Sequence, residues 1–303
     1  MRIGVWFDDS GMTVDEICRR AGEAAKAGYD VVWRGETGSW DPLTMLAVMG
    51  REVPGVGLGT AVVRSYPRHP LALAAQALTV QAAVGNRLRL GLGPGHAAII
   101  EGQYGLPFTG AVDGFREYLE ALLPLLRGEE VAYRGRSWTA VGEVGVVGAR
   151  PPAVLVSALG PRMLRLAGEL SDGTVTTWLG PAGIADYVAP ALAEAARAAG
   201  RPAPEVIAGV CVAVTGDPDG ARSWVNERYG RAGDLPSYRA VMDREGARTP
   251  GDTIIAGDEA AVERELRRFA DAGAAEVQVI PVGTPEEQER VFTLAPQLVA
   301  ASR

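Results

Sequence analysis

The sequence holds two histidines, and both follow apolar runs that read as β-strands. His96 closes Gly93-Pro94-Gly95-His96, a glycine-rich loop at the end of the run 88–92. A histidine placed there suits general acid work, with a titration expected between roughly 6 and 8. The competing reading is a loop histidine that caps backbone groups. His69 lies in Pro67-Arg68-His69-Pro70 at a helix start, where a capping or structural role fits better. Ser157-Ala158-Leu159-Gly160-Pro161-Arg162-Met163 leaves another apolar run and opens a helix. Exposed N–H groups, a glycine for close approach and an arginine for charge suit a phosphate. Taken alone, this pattern is also that of an ordinary strand-to-helix turn. Trp33-Arg34-Gly35-Glu36 ends a further run, and Arg34 and Glu36 lie on one side of the alternation. Either one points into a site, or the pair is a plain structural one. Trp40 and Trp178 follow two of the runs and either wall an aromatic pocket or pack in the ordinary way.

Other chemistries have no motif to carry them. The sequence contains no H-E-x-x-H, G-x-x-x-x-G-K-[ST], paired CxxC or G-x-S-x-G. Gly91-Leu92-Gly93-Pro94-Gly95 has the wrong spacing for a dinucleotide fingerprint. Cys18 and Cys211 lie far apart and read as two buried thiols. With two histidines and scattered carboxylates, no dedicated metal site is expected.

The elements that must position these residues alternate from end to end. Strands are expected at 3–7, 30–34, 56–63, 88–92, 154–157, 174–177, 206–214 and 276–280. Helices are expected between them, at 13–27, 42–50, 70–83, 115–126, 161–170, 181–199, 260–272 and 285–301. Thr13 with Glu16 forms a capping box, and Gly28 and Gly85-Asn86 stop helices. Leu71, Ala75, Leu78 and Ala82 recur at helical spacing and suggest one face. Two regions break the alternation. Residues 129–150 read as an inserted hairpin or extended loop, and 217–253 as an irregular stretch with helices near 221–229 and 236–245. Eight strands alternating with helices give a (β/α)8 TIM barrel as one domain over 1–303, with an open doubly wound sheet as the alternative.

At 303 residues and 47% apolar, the chain can bury a large core. Its formal net charge of −7 argues against nucleic acid or an anionic membrane as partner. No apolar run approaches the ~20 residues of a membrane span and no signal peptide is visible, so a cytoplasmic protein is expected.

Several stretches together resemble the bacterial luciferase-like superfamily, in its branch that uses the deazaflavin coenzyme F-420. They are Leu58-Gly59-Thr60-Ala61-Val62-Val63, Arg68-His69-Pro70 with Gln76, Asn86-Arg87 leading to Leu90-Gly91-Leu92-Gly93, and Ala158–Met163 with Leu166-Ala167-Gly168 and Asp172-Gly173. The last run looks like methylenetetrahydromethanopterin reductases. The resemblance covers essentially the whole chain. It implies a (β/α)8 barrel with an insertion and a non-proline cis peptide, by position between Ala61 and Val62. It implies coenzyme contacts at Ala61, Val62, Arg64, Leu159, Gly160, Arg162, Met163 and Thr177, with Glu36 also against the coenzyme. The chain departs from the family's glucose-6-phosphate dehydrogenases, whose catalytic histidine and glutamate are replaced by Thr37 and His96. The expected activity is therefore F-420-dependent hydride transfer to a small conjugated or imine substrate rather than to a sugar phosphate. His96 is the candidate proton donor, and Glu36 is the second candidate catalytic group. The alternatives are a flavin mononucleotide (FMN) monooxygenase fed by a partner reductase, and a non-catalytic binder of flavin or deazaflavin. The resemblance also implies a homodimer, paired through the helices at 42–49 and 71–83.

Overall fold

Short β-branched runs bounded by glycine, proline and aspartate make eight parallel strands. They are β1 (Arg2–Trp6), β2 (Val31–Arg34), β3 (Gly57–Thr60), β4 (Leu88–Gly93), β5 (Ala153–Ser157), β6 (Gly173–Thr177), β7 (Glu205–Val214) and β8 (Glu276–Pro281). Each pairs with the next, and β8 returns to β1, so the sheet closes as a TIM barrel. The structure, a computed structural model, describes residues 1–300. The last helix runs over Pro285–Ala300, and its expected end at 301 lies outside the described residues.

The connecting helices follow their sequence signals. Val14–Ala27 carries the Thr13/Glu16 capping box and ends at Gly28, with φ of 101°. His69 caps Pro70–Ala83, its Nδ1 accepting from Leu71 N–H at 3.2 Å while Nε2 meets the Thr139 carbonyl at 2.8 Å. The structural reading of His69 therefore holds. The face expected for that helix does not. Leu73, Ala74, Ala77, Leu78 and Gln81 are buried, whereas Ala75 is exposed. An alanine-rich helix gives periodicity little contrast between its faces. The hairpin at 129–150 is present, with Val131–Arg134 antiparallel to Thr139–Gly142.

Three elements differ from expectation. Strand three is not continuous over 56–63 but stops at Thr60 and resumes as Val63–Arg64. A helix at Ala97–Tyr104 follows His96 directly, although Gly102 within it weakens the helical signal. After the second insertion, with its helices Pro218–Tyr229 and Pro236–Arg244, comes a short strand, Ile255–Gly257, that pairs in parallel beside Val212–Val214 at the end of β7. No helix among the described residues is long and apolar enough to cross a membrane.

The N-terminal end of the barrel is closed by a charge cluster. Trp33 Nε1 donates to Glu276 Oε1 at 2.6 Å, and Arg89 Nη1 to Glu276 Oε2 at 2.5 Å. Arg2 bridges Glu276 and Glu205 at 3.3 and 2.7 Å. Together with the Trp33 ring, Val31, Leu155, Val175 and Ile207 fill the interior, so chemistry is confined to the opposite end.

Two glycine substitutions test the packing of β4 against its neighbour. A Cβ at Gly91 would run into the Thr60 carbonyl oxygen, whereas one at Gly102 meets nothing. Gly91→Ala should cost about 1–3 kcal/mol or more by forcing the strands apart. Gly102→Ala, exposed and helical, should gain about 0.5–1 kcal/mol. Denaturant unfolding of both variants reads the two signs. A Gly91→Ala protein as stable as the wild type would overturn this account of the strand contact.

Candidate active site

The mouth of the barrel is built around the break in strand three. Gly59 lies opposite Arg89, but Val63 lies opposite Leu92. The chain thus advances four residues on one side and three on the other, which makes a β-bulge. The Ala61–Val62 peptide inside the bulge is cis, at the position the resemblance implied. The Thr60 hydroxyl spans the interrupted ladder. It donates to the Gly91 carbonyl and accepts from Gly91 N–H, both at 2.8 Å. A Cβ at Gly93 would meet Val62 and Ser157, and one at Gly35 would meet the Ala61 carbonyl and Trp6. These glycines let Ala61 and Val62 lie flat between β2 and β4, over the interior cluster.

Strand three resumes at Val63–Arg64 and delivers Arg64 to Glu36. Arg64 N–H donates to Glu36 Oε2 at 2.7 Å, and Arg64 Nη2 to the Glu36 carbonyl at 2.6 Å. Arg68 Nη1 meets both carboxylate oxygens of Glu36 at 2.9 and 3.0 Å. The second arm of Arg68 reaches Asp41 at 2.8 Å, and the Tyr104 hydroxyl approaches Glu36 at 3.5 Å. The Glu36 side chain is only 10% exposed. With that many donors on its carboxylate, Glu36 is tied into the scaffold at the exits of strands two and three. Arg34 does not enter this network. It is buried against Asp9 and the Phe7 carbonyl, which makes it a structural cation.

His96 stands apart from that network. Its carbonyl receives the N–H groups of Ile99 and Ile100, but its ring does not cap the helix Ala97–Tyr104. Among the described residues its ring nitrogens have no hydrogen-bond partner. The ring is half-buried and meets Tyr238 edge to face, with centroids 4.9 Å apart at 69°. Burial, followed by the nearby Arg64 charge, pulls its pKa below the ordinary histidine value. The shift is toward the acid side of the expected range, because a half-buried ring beside a cation is charged with difficulty.

The loop after β5 is the open part of the site. Gly160 begins the helix Pro161–Leu170 with no side-chain cap, and a Cβ there would meet nothing. The first-turn N–H groups are thus uncapped by any side chain. Leu159 and Met163 pack against the core, and the Leu159 carbonyl accepts from the Tyr187 hydroxyl at 3.0 Å. Arg162 is at the surface, paired with Asp113 at 2.5 Å. Thr177 ends β6 and is half-buried. The next residue, Trp178, has φ of 57° and packs on Tyr229 of the second insertion at 6.0 Å. Trp40 is 36% exposed on the loop after β2, and no ring contact joins it to Trp178.

Sequence reasoning missed Tyr238 and Tyr104. Neither lies in a motif, and Tyr238 reaches the mouth only through the fold of the insertion. Arg68 was visible as part of Arg68-His69-Pro70, though not as the partner of Glu36.

Comparison with known proteins agrees with this geometry. The family model described as Luciferase-like monooxygenase matches residues 1–290. The 5,10-methylenetetrahydromethanopterin reductase of Methanopyrus kandleri is 28% identical over 294 residues, covering 81% of this chain and 82% of that protein. The solved structure of a coenzyme F-420-dependent tetrahydromethanopterin reductase from the same organism superposes with a TM-score of 0.79 at 22% identity. It covers 100% of this chain and 99% of that one. The FMN-bound oxygenating component of 3,6-diketocamphane monooxygenase from Pseudomonas putida gives 0.79 at 18% identity, covering 100% and 98%. With a barrel whose strand-three bulge, mouth and strand-five loop lie as described, and a family match over nearly its whole length, this chain belongs to the luciferase-like monooxygenase family of oxidoreductases.

Proposed function

We propose that this chain is a coenzyme F-420-dependent oxidoreductase that passes a hydride between the deazaflavin and a small conjugated or imine substrate. The observation that carries the reading is the floor at Ala61–Val62. Gly35, Gly91 and Gly93 let this segment lie flat across the barrel mouth, which suits a planar ring. The uncapped helix start at Gly160-Pro161-Arg162 suits an anionic tail, since its N–H groups and the helix dipole favour negative charge. The floor and the helix start therefore fit the coenzyme: Ala61 and Val62 would support the ring, and Leu159 to Met163 would hold the tail. Bound there, the deazaflavin supplies a carbon that gives or takes the hydride. The curated relative from Methanopyrus kandleri supports F-420 over flavin mononucleotide. An FMN monooxygenase is the second reading, favoured by the superposition on the diketocamphane enzyme.

The chain's own residues have separable tasks. Glu36, Arg64 and Arg68 hold the exits of strands two and three in place. His96 is the titratable ring at the strand-four exit, and neither of its nitrogens has a hydrogen-bond partner among the described residues, so it can orient a substrate atom or give it a proton. A neutral imidazole orients by hydrogen bonding, and the imidazolium delivers a proton outright.

Cofactor titration decides between the readings. F-420 should bind in the micromolar range or tighter and FMN much more weakly; the reverse order would reject F-420. Arg162→Ala should weaken F-420 binding about fivefold, near 1 kcal/mol, because an exposed arginine already paired with Asp113 gains little from a new partner. Unchanged affinity would mean that the tail does not engage Arg162.

His96→Ala should lower kcat by about tenfold or more at unchanged F-420 affinity, since the tail is held on another strand. The sign of the pH dependence follows from the lowered pKa. If the imidazolium gives the proton, kcat is highest in acid and falls as pH rises through a midpoint below about 6.5. Steady-state turnover across pH 5–8 reads this, and a midpoint well above 6.5 would assign the donor to another group.

A further inference from the structure

We propose that Tyr238 is the positioning residue for His96, carried to the mouth by the second insertion, so that this insertion sets the orientation and charge of the acid group. The proposal rests on the reading of His96 given above. Nothing on the strand-four loop itself fixes the imidazole. Gly95 precedes it with φ of 82°, the ring makes no cap, and among the described residues it has no hydrogen bond. The contact that orients it is the edge-to-face meeting with Tyr238 at 4.9 Å, the geometry in which a ring edge points at the face of another.

Tyr238 is rigidly mounted. It lies near the start of helix Pro236–Arg244, whose Val241 and Met242 are buried. Beyond its end, the Glu245 carboxylate accepts from Gly183 N–H at 2.9 Å. Arg244 lies over the Tyr187 ring at 3.9 Å, and Tyr187 itself donates to the Leu159 carbonyl. The helix is thus clamped at its C-terminal end to the elements that follow β5 and β6, while its N-terminal end covers His96. The charged groups around the imidazole are few. Arg64 faces it from the strand-three extension, with its charge partly answered by Glu36 and with Tyr104 beyond. From the insertion comes an uncharged phenol, whose titration burial pushes upward. Tyr238 therefore withdraws water from His96 without offering it a counter-charge.

The test uses the fact that the sequence has two histidines, so ring resonances are simple to assign; His96→Gln identifies one of them. In the full-length protein without coenzyme, Tyr238→Ala should remove the ring-current shift of the His96 signal. It should also raise the His96 midpoint toward its ordinary value. Tyr238→Phe should keep both at wild-type values. An unchanged shift and midpoint in Tyr238→Ala, with an unaltered thermal melt, would overturn the proposal. With F-420 and substrate, Tyr238→Ala should lower kcat severalfold and move its pH profile with the His96 midpoint, leaving the coenzyme KM unchanged. Movement of the midpoint without any change in kcat or its pH profile would overturn the role in turnover. Failure of the His96 reading is separate, since it shows as full activity in His96→Ala whatever Tyr238 does.

Discussion

One hydroxyl holds the mouth of this barrel together. The bulge in strand three leaves Gly91 of β4 facing a gap in the ladder, with both of its backbone groups buried. Each unmet group there would cost about 1–3 kcal/mol. Thr60 Oγ1 meets both, as acceptor and as donor. The strand can then take on an extra residue, place Ala61 and Val62 across the barrel top, and rejoin β4 at Val63. Arg64 reaches Glu36 because of that rejoining. A valine in place of Thr60 would fill the same space and leave both Gly91 groups unpaired.

The charges downstream of the bulge follow from it. Glu36 is a residue type that could act as acid or base, yet two arginines claim its oxygens. Arg68 is in turn divided between Glu36 and Asp41, and Asp41 caps the helix Pro42–Glu52 while accepting from Gln76 at 3.3 Å. Removing any one member leaves a half-buried charge without its partner, which is costlier than never having built the pair. With Glu36 committed to this lattice and Arg64 committed to Glu36, Arg64 influences His96 through its field and not through a hydrogen bond. The site separates accordingly into a rigid ionic side, at the exits of β2 and β3, and a titratable side at the exit of β4.

Most of the barrel was legible because its strands are short apolar runs punctuated by glycine and proline, and its helices carry caps. The capping box at Thr13, the left-handed stop at Gly85-Asn86 and the helix start at Pro161 are each written in a few adjacent residues. What the sequence concealed was non-local. The interruption of strand three is invisible in Leu58–Val63, an apolar stretch with no proline and no turn motif, because the bulge depends on how Gly91 packs against Thr60. The pairing of Glu36 with Arg68 spans 32 residues, and that of His96 with Tyr238 spans nearly half of the chain. Periodicity also misjudged Pro70–Ala83, since alanine on every face leaves tertiary packing to choose which side is buried.

The second insertion meets the barrel through contacts separate from those that build its floor. It touches the mouth at separate exits: Arg228 pairs with Asp8 after β1, Tyr229 packs on Trp178 after β6, and Tyr238 meets His96 after β4. Two of these three contacts are made by rings, which cover and orient without adding charge. None of them involves the ladder groups that close the barrel, the Thr60 bridge or the Glu36 lattice. Substitutions at Arg228, Tyr229 and Tyr238 would therefore change the wall of the mouth without touching those groups, whereas Arg244, over the Tyr187 ring, and Glu245, on Gly183 N–H, tie the same insertion to the elements after β5 and β6.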